Sequence, residues 1–297
     1  MYMKINRLGA IDVGSNSVKL LISDIINNEG KIVYKTSLFT RVPLRLGDDT
    51  FSEGCISKEK MDKLAKLVKT FISLIKINNV ENWLICATSA LREAKNVNEV
   101  IDYILSSTGQ GIQVISPNEE AYYIGLNLAI RSLEEDRIYV VADVGGGCTE
   151  LTLFMKNKQP VCNSFNLGTI RCLTRNEELA EWKKLSDWVN RERNGHRELT
   201  LIGSGGNINK LNSIFKKKGR IKKGDFNRLY QRLYEMKYEG RILQSDLGLN
   251  RSKVIIPAMK IYLQLMKILK KDEIEIPVIG LVDGMIKDLY AKSLNRT

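Results

Sequence analysis

Ala142-Asp143-Val144-Gly145-Gly146-Gly147-Cys148-Thr149-Glu150-Leu151 repeats the pattern of Ile11-Asp12-Val13-Gly14-Ser15-Asn16-Ser17-Val18-Lys19-Leu20. Each stretch reads as a strand ending in Asp-Val-Gly, a tight turn of small residues and a return strand. The surroundings repeat as well. Strands are expected at 8–13, 18–26 and 31–41, a helix at 57–77 capped by Ser57, a strand at 83–86, a helix at 97–107, a strand at 111–115 and a helix at 118–133. The second half offers strands at 137–144, 149–155 and 161–165, then helical segments and a strand at 199–202. A long helix near 253–269, a strand at 275–279 and a terminal helix follow.

The order β-β-β-α-β-α-β is therefore expected twice, with insertions in the second copy. Three adjacent hairpin-linked strands do not belong to a purely parallel sheet, so each half is read as α/β with a mixed sheet. A duplicated fold with facing turns predicts an interdomain cleft. The boundary is expected near 124–136, giving domains 1–126 and 127–297, with the terminal helix able to pack back on the first.

Composition narrows the chemistry. The 297 residues are 43% hydrophobic with five prolines, enough for two cores and not the make-up of a disordered chain. Met1–Arg7 has no apolar h-region and no stretch approaches the ~18 apolar residues of a membrane span, so a cytoplasmic protein is expected. The five cysteines, Cys55, Cys86, Cys148, Cys162 and Cys172, show no CxxC spacing and read as reduced, mostly buried residues. The single histidine, His196, lies in a polar stretch read as a solvated linker. Carboxylates, backbone amides and cationic side chains are left to carry any catalysis.

The net charge of +12 favours a polyanionic partner. Its densest run, 216–223, reads as a solvated loop or as part of such a contact. It has no interleaved aromatic residues, which argues against single-stranded nucleic acid.

The Gly145-Gly146-Gly147 turn allows positive φ and close approach of backbone N–H groups to a ligand, a nest suited to phosphate oxygens. Asp143 and Glu150 flank it on opposite arms and can hold Mg²⁺, which takes one or two carboxylates plus phosphates and water. Gly14, Ser15, Asn16 and Ser17 offer a second phosphate position, with Lys19 as a point charge. Ser204-Gly205-Gly206, a strand end opening a helix, reads as a simple turn or a third phosphate loop. Arg92, in a loop over 87–94, can fork onto a phosphate. Glu119 and Glu120 open a helix, where paired acids are dipole-favourable caps; at a cleft edge one of them can instead be a general base.

The set DVGSNS, CATSALREA, SPNEEA, DVGGGCTE, NLGTIR, GSGGNI and GLVDG, in order over nearly the whole chain, resembles the exopolyphosphatase/guanosine pentaphosphate phosphohydrolase family. That family sits in the superfamily of acetate and sugar kinases, heat-shock 70 chaperones and actin. The resemblance implies two actin-like (ribonuclease H-like) domains and a Mg²⁺-assisted phosphoanhydride hydrolase. It would release terminal orthophosphate from inorganic polyphosphate or the 5′ γ-phosphate of guanosine pentaphosphate. It also implies Glu120 as catalytic glutamate, Arg92 as loop arginine, Asp143 and Glu150 as metal- and water-associated acids, and a homodimer.

Five positions depart from the family pattern. Tyr122 stands where Arg is common, Cys148 where Ser is usual, Lys19 where Arg is frequent, and Val282-Asp283 where Arg-Glu is usual. Together they remove guanidinium groups, which Lys replaces only as a point charge. These departures leave three readings open beside full activity: weakened activity, an altered substrate, or a non-catalytic polyphosphate- or alarmone-binding protein.

Overall fold

The computed structural model describes residues 4–128, 133–193, 198–216, 219–245, 247–277 and 280–294. It divides into two compact units, Met1–Ile130 with Leu281–Thr297, and Arg131–Gly280. The first runs β1 (Lys4–Val13), β2 (Val18–Asn28), β3 (Lys31–Val42), α1 (Leu46–Glu53), α2 (Lys58–Ile77), β4 (Asn82–Ala87), α3 (Ser89–Arg92), α4 (Val97–Thr108), β5 (Gln113–Val114) and α5 (Pro117–Leu128). The second runs β6 (Arg137–Val144), β7 (Thr149–Phe154), β8 (Val161–Phe165), α6 (Arg175–Glu192), β9 (Glu198–Ser204), α7 (Gly206–Phe215), β10 (Arg220–Lys222), α8 (Lys223–Glu235), α9 (Tyr238–Gln244), α10 (Leu249–Ile268) and β11 (Glu273–Glu275). The terminal helix α11 (Leu281–Leu294) belongs to the first unit.

The first sheet has the order β3-β2-β1-β4-β5. Its first three strands form an antiparallel meander, and β4 lies parallel to β1. Leu8, Ala10, Ile11 and Val13 of β1 are all buried, because both faces of this strand are covered. Ile11 and Val13 pack with Leu64, Val68 and Phe71 of α2 and Ile104 of α4. Leu8 and Ala10 pack with Tyr123 of α5 and Met285 and Ile286 of α11. The amphipathic α2 starts where Ser57 Oγ accepts the Lys60 N–H at 3.4 Å. Where α11 crosses α5, a Cβ on Gly284 would sit 1.8 Å from the Tyr123 carbonyl oxygen, so the contact demands glycine.

The second sheet has the order β10-β11-β9-β6-β7-β8 and repeats the meander in β6, β7 and β8. Every residue of β7 is buried. Its core includes Phe165 edge-on to Trp188 at 5.7 Å between centroids. The fully buried Tyr262 of α10 donates its hydroxyl to the Ser204 carbonyl at 2.8 Å, tying α10 to the end of β9. No helix among the described residues is long and apolar enough to cross a membrane.

Several expectations are corrected. Helix α1 falls in a stretch to which the sequence assigns no element, since LGDDTFSE has no sustained apolar period. The loop over 87–94 contains the helical turn α3. The strand expected at 275–279 runs Glu273–Glu275; Ile276 N–H then binds the Gly219 carbonyl, and 278–279 lie outside the described residues. Residues 129–132 of the helix expected to reach 133, His196, and 217–218 of the basic run also lie outside them; Leu133 is described and is not helical. The cysteines are not mostly buried: Cys86 and Cys148 are, Cys55 and Cys162 are half-buried, and Cys172 is exposed.

Candidate active site

In the first unit, the turn between β1 and β2 closes with Gly14 N–H donating to the Ser17 carbonyl at 3.2 Å. The carbonyls of Ser15 and Asn16 accept the N–H groups of Gly47 (2.9 Å) and Arg45 (3.1 Å). With those oxygens engaged, the Ser15 and Asn16 amides find no acceptor among the described residues. Ser15 Oγ lies 2.8 Å from Ser89 Oγ, which joins this turn to the start of α3. Lys19 Nζ is 2.6 Å from Asp12 Oδ2, so its charge is partly spent on a buried carboxylate. Asp12 Oδ1 is buried without a hydrogen-bond partner.

The two acids of α5 have separate surroundings. Pro117 opens the helix and Ser116 caps it. Glu119 is exposed and closes a capping box: Oε2 accepts the Ser116 N–H at 2.7 Å, while Glu119 N–H donates to Ser116 Oγ at 3.2 Å. These backbone and hydroxyl hydrogen bonds from Ser116 hold its pKa below the ordinary glutamate value. Glu120 is 8% exposed, and its Oε2 lies 3.3 Å from Arg92 Nη1. Arg92 also donates to the Ile115 carbonyl at 2.9 Å, which fixes the guanidinium at the α5 N-terminus. The pair is little exposed, which limits the access of bulk water to the carboxylate.

The second unit builds the same turn. Gly145 N–H donates to the Cys148 carbonyl at 2.9 Å. The Gly145 carbonyl accepts Thr169 N–H, the Gly146 carbonyl accepts Ile170 and Arg171 N–H, and the Gly147 carbonyl accepts Arg171 Nε at 2.6 Å. Among the described residues, no acceptor takes the Gly146 or Gly147 N–H. The expectation of positive φ in this turn is corrected: the positive φ angles of glycines fall at 30, 54, 109, 205 and 219. Room is the requirement at Gly145 and at Gly168 behind the turn. A Cβ on Gly145 would lie 3.1 Å from the Cys148 carbonyl, and one on Gly168 would lie 2.3 Å from the Gly146 carbonyl.

Asp143 and Glu150 are cross-strand partners beside this turn. Glu150 is buried, and its Oε1 lies 2.7 Å from Cys148 Sγ and 3.4 Å from Ser164 Oγ. Asp143 Oδ2 accepts Ser204 Oγ at 3.3 Å, linking the turn to the end of β9. Gly205 follows at φ 96°, and a Cβ there would meet Asp143 Oδ1 at 2.6 Å. Gly206 begins α7, whose free N–H groups and dipole suit an anion.

Two arginines escaped the reading of the sequence. Arg171 braces the glycine turn, in a motif noticed only as part of a resemblance. Arg251 lies at the start of α10, with Nη2 3.6 Å from where a Gly206 Cβ would be. Its Nε is buried without a hydrogen-bond partner, and burial lowers its pKa. Nothing in its local sequence signals this, since α10 brings it back to the third loop from 45 residues away.

Two mixed sheets, each carrying an outward-facing amide turn between its first two strands, define an α/β protein of two actin-like halves. The chain belongs to the Ppx/GppA phosphatase family, whose model matches residues 26–293. It is 31% identical over 199 residues to exopolyphosphatase 1 of Mycobacterium leprae, covering 66% of this chain and 53% of that protein. It is 25% identical over 299 residues to the guanosine-5′-triphosphate,3′-diphosphate pyrophosphatase of Aliivibrio fischeri, covering 94% and 59%. The chain thus spans little more than half the length of these relatives. The crystal structure of the Aquifex aeolicus Ppx/GppA family member matches with a TM-score of 0.74 at 25% identity, covering 98% of this chain and 99% of that one.

Proposed function

We propose that the protein is an exopolyphosphatase, releasing terminal orthophosphate from inorganic polyphosphate. The observation that carries this reading is the pair of matched turns whose carbonyls are bonded from behind, leaving two consecutive amides in each to receive phosphate oxygens. Helix α7 and Arg251 supply a third anion position. Glu120, little exposed beside Arg92, would align a water and accept its proton as the water oxygen attacks the terminal phosphorus, the bond to the rest of the chain breaking to leave orthophosphate and a shortened chain.

Asp143 and Glu150 would hold Mg²⁺. Their placement fits that ion: two oxygen ligands lie side by side next to a phosphate cradle, and among the described residues no group of three or more His, Cys, Asp or Glu forms a full metal cage. When bound, the ion neutralises charge on the phosphoryl oxygens. A cytoplasmic setting, where thiols stay reduced, accords with five cysteines that form no disulfide.

A second reading, removal of the 5′ γ-phosphate of guanosine pentaphosphate, is supported by the Aliivibrio fischeri relative. Phosphate-release kinetics on polyphosphates of several lengths, with guanosine pentaphosphate as competitor, separates the two. The first reading expects kcat/KM to be higher for polyphosphate and only weak inhibition by the nucleotide. The reverse order overturns it. The non-catalytic reading expects binding of either compound with no phosphate released.

A further inference from the structure

A groove of about 940 Å³ lies in the second unit between α6, α8 and α10, and it includes none of the residues assigned above. Its size falls within the range of small-molecule sites, roughly 300–1,000 Å³. Leu179, Trp182, Tyr230 and Leu263 supply an apolar surface. Five cations line it against three acids, Glu178, Asp225 and Asp272. Lys260 pairs with Glu178 at 2.9 Å and Arg228 pairs with Asp225. Lys222, Lys223 and Lys267 have no ion-pair partner among the described residues, which leaves the groove with excess positive charge beside its apolar wall. Lys222 and Lys223 are the end of the basic run, and they are held in place: Lys223 N–H donates to the Asp272 carbonyl at 2.7 Å.

The groove is separate from the phosphate loops. Strand β10 is antiparallel to β11, and β11 is parallel to β9, so Lys222 ends β10 at the opposite end of the sheet from Ser204. Helix α10 spans the distance. Arg251 sits near its start beside Gly206, and Lys267, 16 residues on (267 − 251), is about 24 Å further along the helix.

We propose that this groove is a second binding site, for an organic anion whose apolar part lies on Trp182 and Leu263 and whose phosphate meets Lys222, Lys223 and Lys267. An inorganic chain alone would leave the apolar wall unmatched, so the ligand carries a ring or an acyl chain as well as a phosphate. Nucleoside phosphates and long-chain alkyl or lipid phosphates share this chemistry. The proposal stands apart from the phosphatase reading, because its residues are not those of the phosphate loops.

The test measures binding of ADP and of dodecyl phosphate to the full chain in excess inorganic triphosphate, which fills the phosphate loops. Quenching of tryptophan fluorescence, absent in Trp182→Phe, is the readout. At least one probe is expected to bind, and Lys223→Glu with Lys267→Glu weakens it tenfold or more while phosphate release from inorganic triphosphate, too short to depend on the basic run, stays unchanged. The milder double change to Gln gives a smaller loss in the same direction. ADP binding alone assigns a nucleoside phosphate, and dodecyl phosphate alone a long-chain alkyl or lipid phosphate. Failure of both probes, full displacement by triphosphate, or equal binding to the charge-reversed variant overturns the proposal.

Discussion

At the scale of the residue, the molecule separates pairs that look alike in the sequence. Glu119 and Glu120 are neighbours, yet one is an exposed cap and the other a buried partner of Arg92. Gly205 illustrates a second kind of demand, because it needs both a left-handed φ and room against Asp143. Gly205→Ala is expected to cost about 1–3 kcal/mol, from the strained φ and the displaced carboxylate. Thermal unfolding checks this, and an unchanged midpoint would show that the loop relaxes freely. Arg251→Ala is expected to raise KM for polyphosphate about tenfold or more, since an anion loses a guanidinium partner. A variant that alters only stability, with KM unchanged, would make Arg251 structural.

The secondary-structure elements explain why the acids stand where they do. Glu119 caps the helix that carries Glu120, so Glu119→Ala should destabilise the protein by about 1 kcal/mol, a midpoint shift of about 2–4 °C. Because the Glu119 pKa is lowered in the fold, its contribution is present above the ordinary glutamate value and disappears as pH falls through the lowered one. Wild type and Glu119→Ala should therefore converge in stability on acidification, and a gap that persists well below pH 4 would contradict the cap. Much of this level was legible from the sequence. The Asp-Val-Gly repeat fixed both meanders, and the period of Leu64, Val68, Phe71 and Ile75 marked α2. Helix α1 was not legible, because only Leu46 among its buried residues is a large apolar side chain, the others being Gly47 and Thr50. Arg251 was missed for a different reason: its neighbourhood is made by tertiary packing of α10 on the end of β9. The glycines at 145–147 were placed correctly at a turn, but without positive φ; the tightest demand for room falls on Gly168, whose segment 166–171 packs against the Gly146 and Gly147 backbone.

Over the whole molecule, the charge of +12 and the two amide turns point to one class of partner. Attraction between exposed charges is screened over about 10 Å at 0.1 M salt, so affinity for long polyphosphate should fall as salt rises, and more steeply than affinity for triphosphate. Binding isotherms at several ionic strengths check this, and equal slopes for both ligands would confine recognition to the loops. The departures at Tyr122 and Val282 have structural uses. The Tyr122 hydroxyl donates to Asp288 at 3.0 Å, and Val282 is buried among residues of α5 and α11. The central claim is that Glu120 activates water for cutting a phosphoanhydride bond. Phosphate release from polyphosphate with Mg²⁺, comparing wild type with Glu120→Gln, tests it most directly. The expected result is a loss of roughly 10²–10⁴-fold in kcat with polyphosphate still bound; undiminished release by the variant, or none by the wild type, would contradict it.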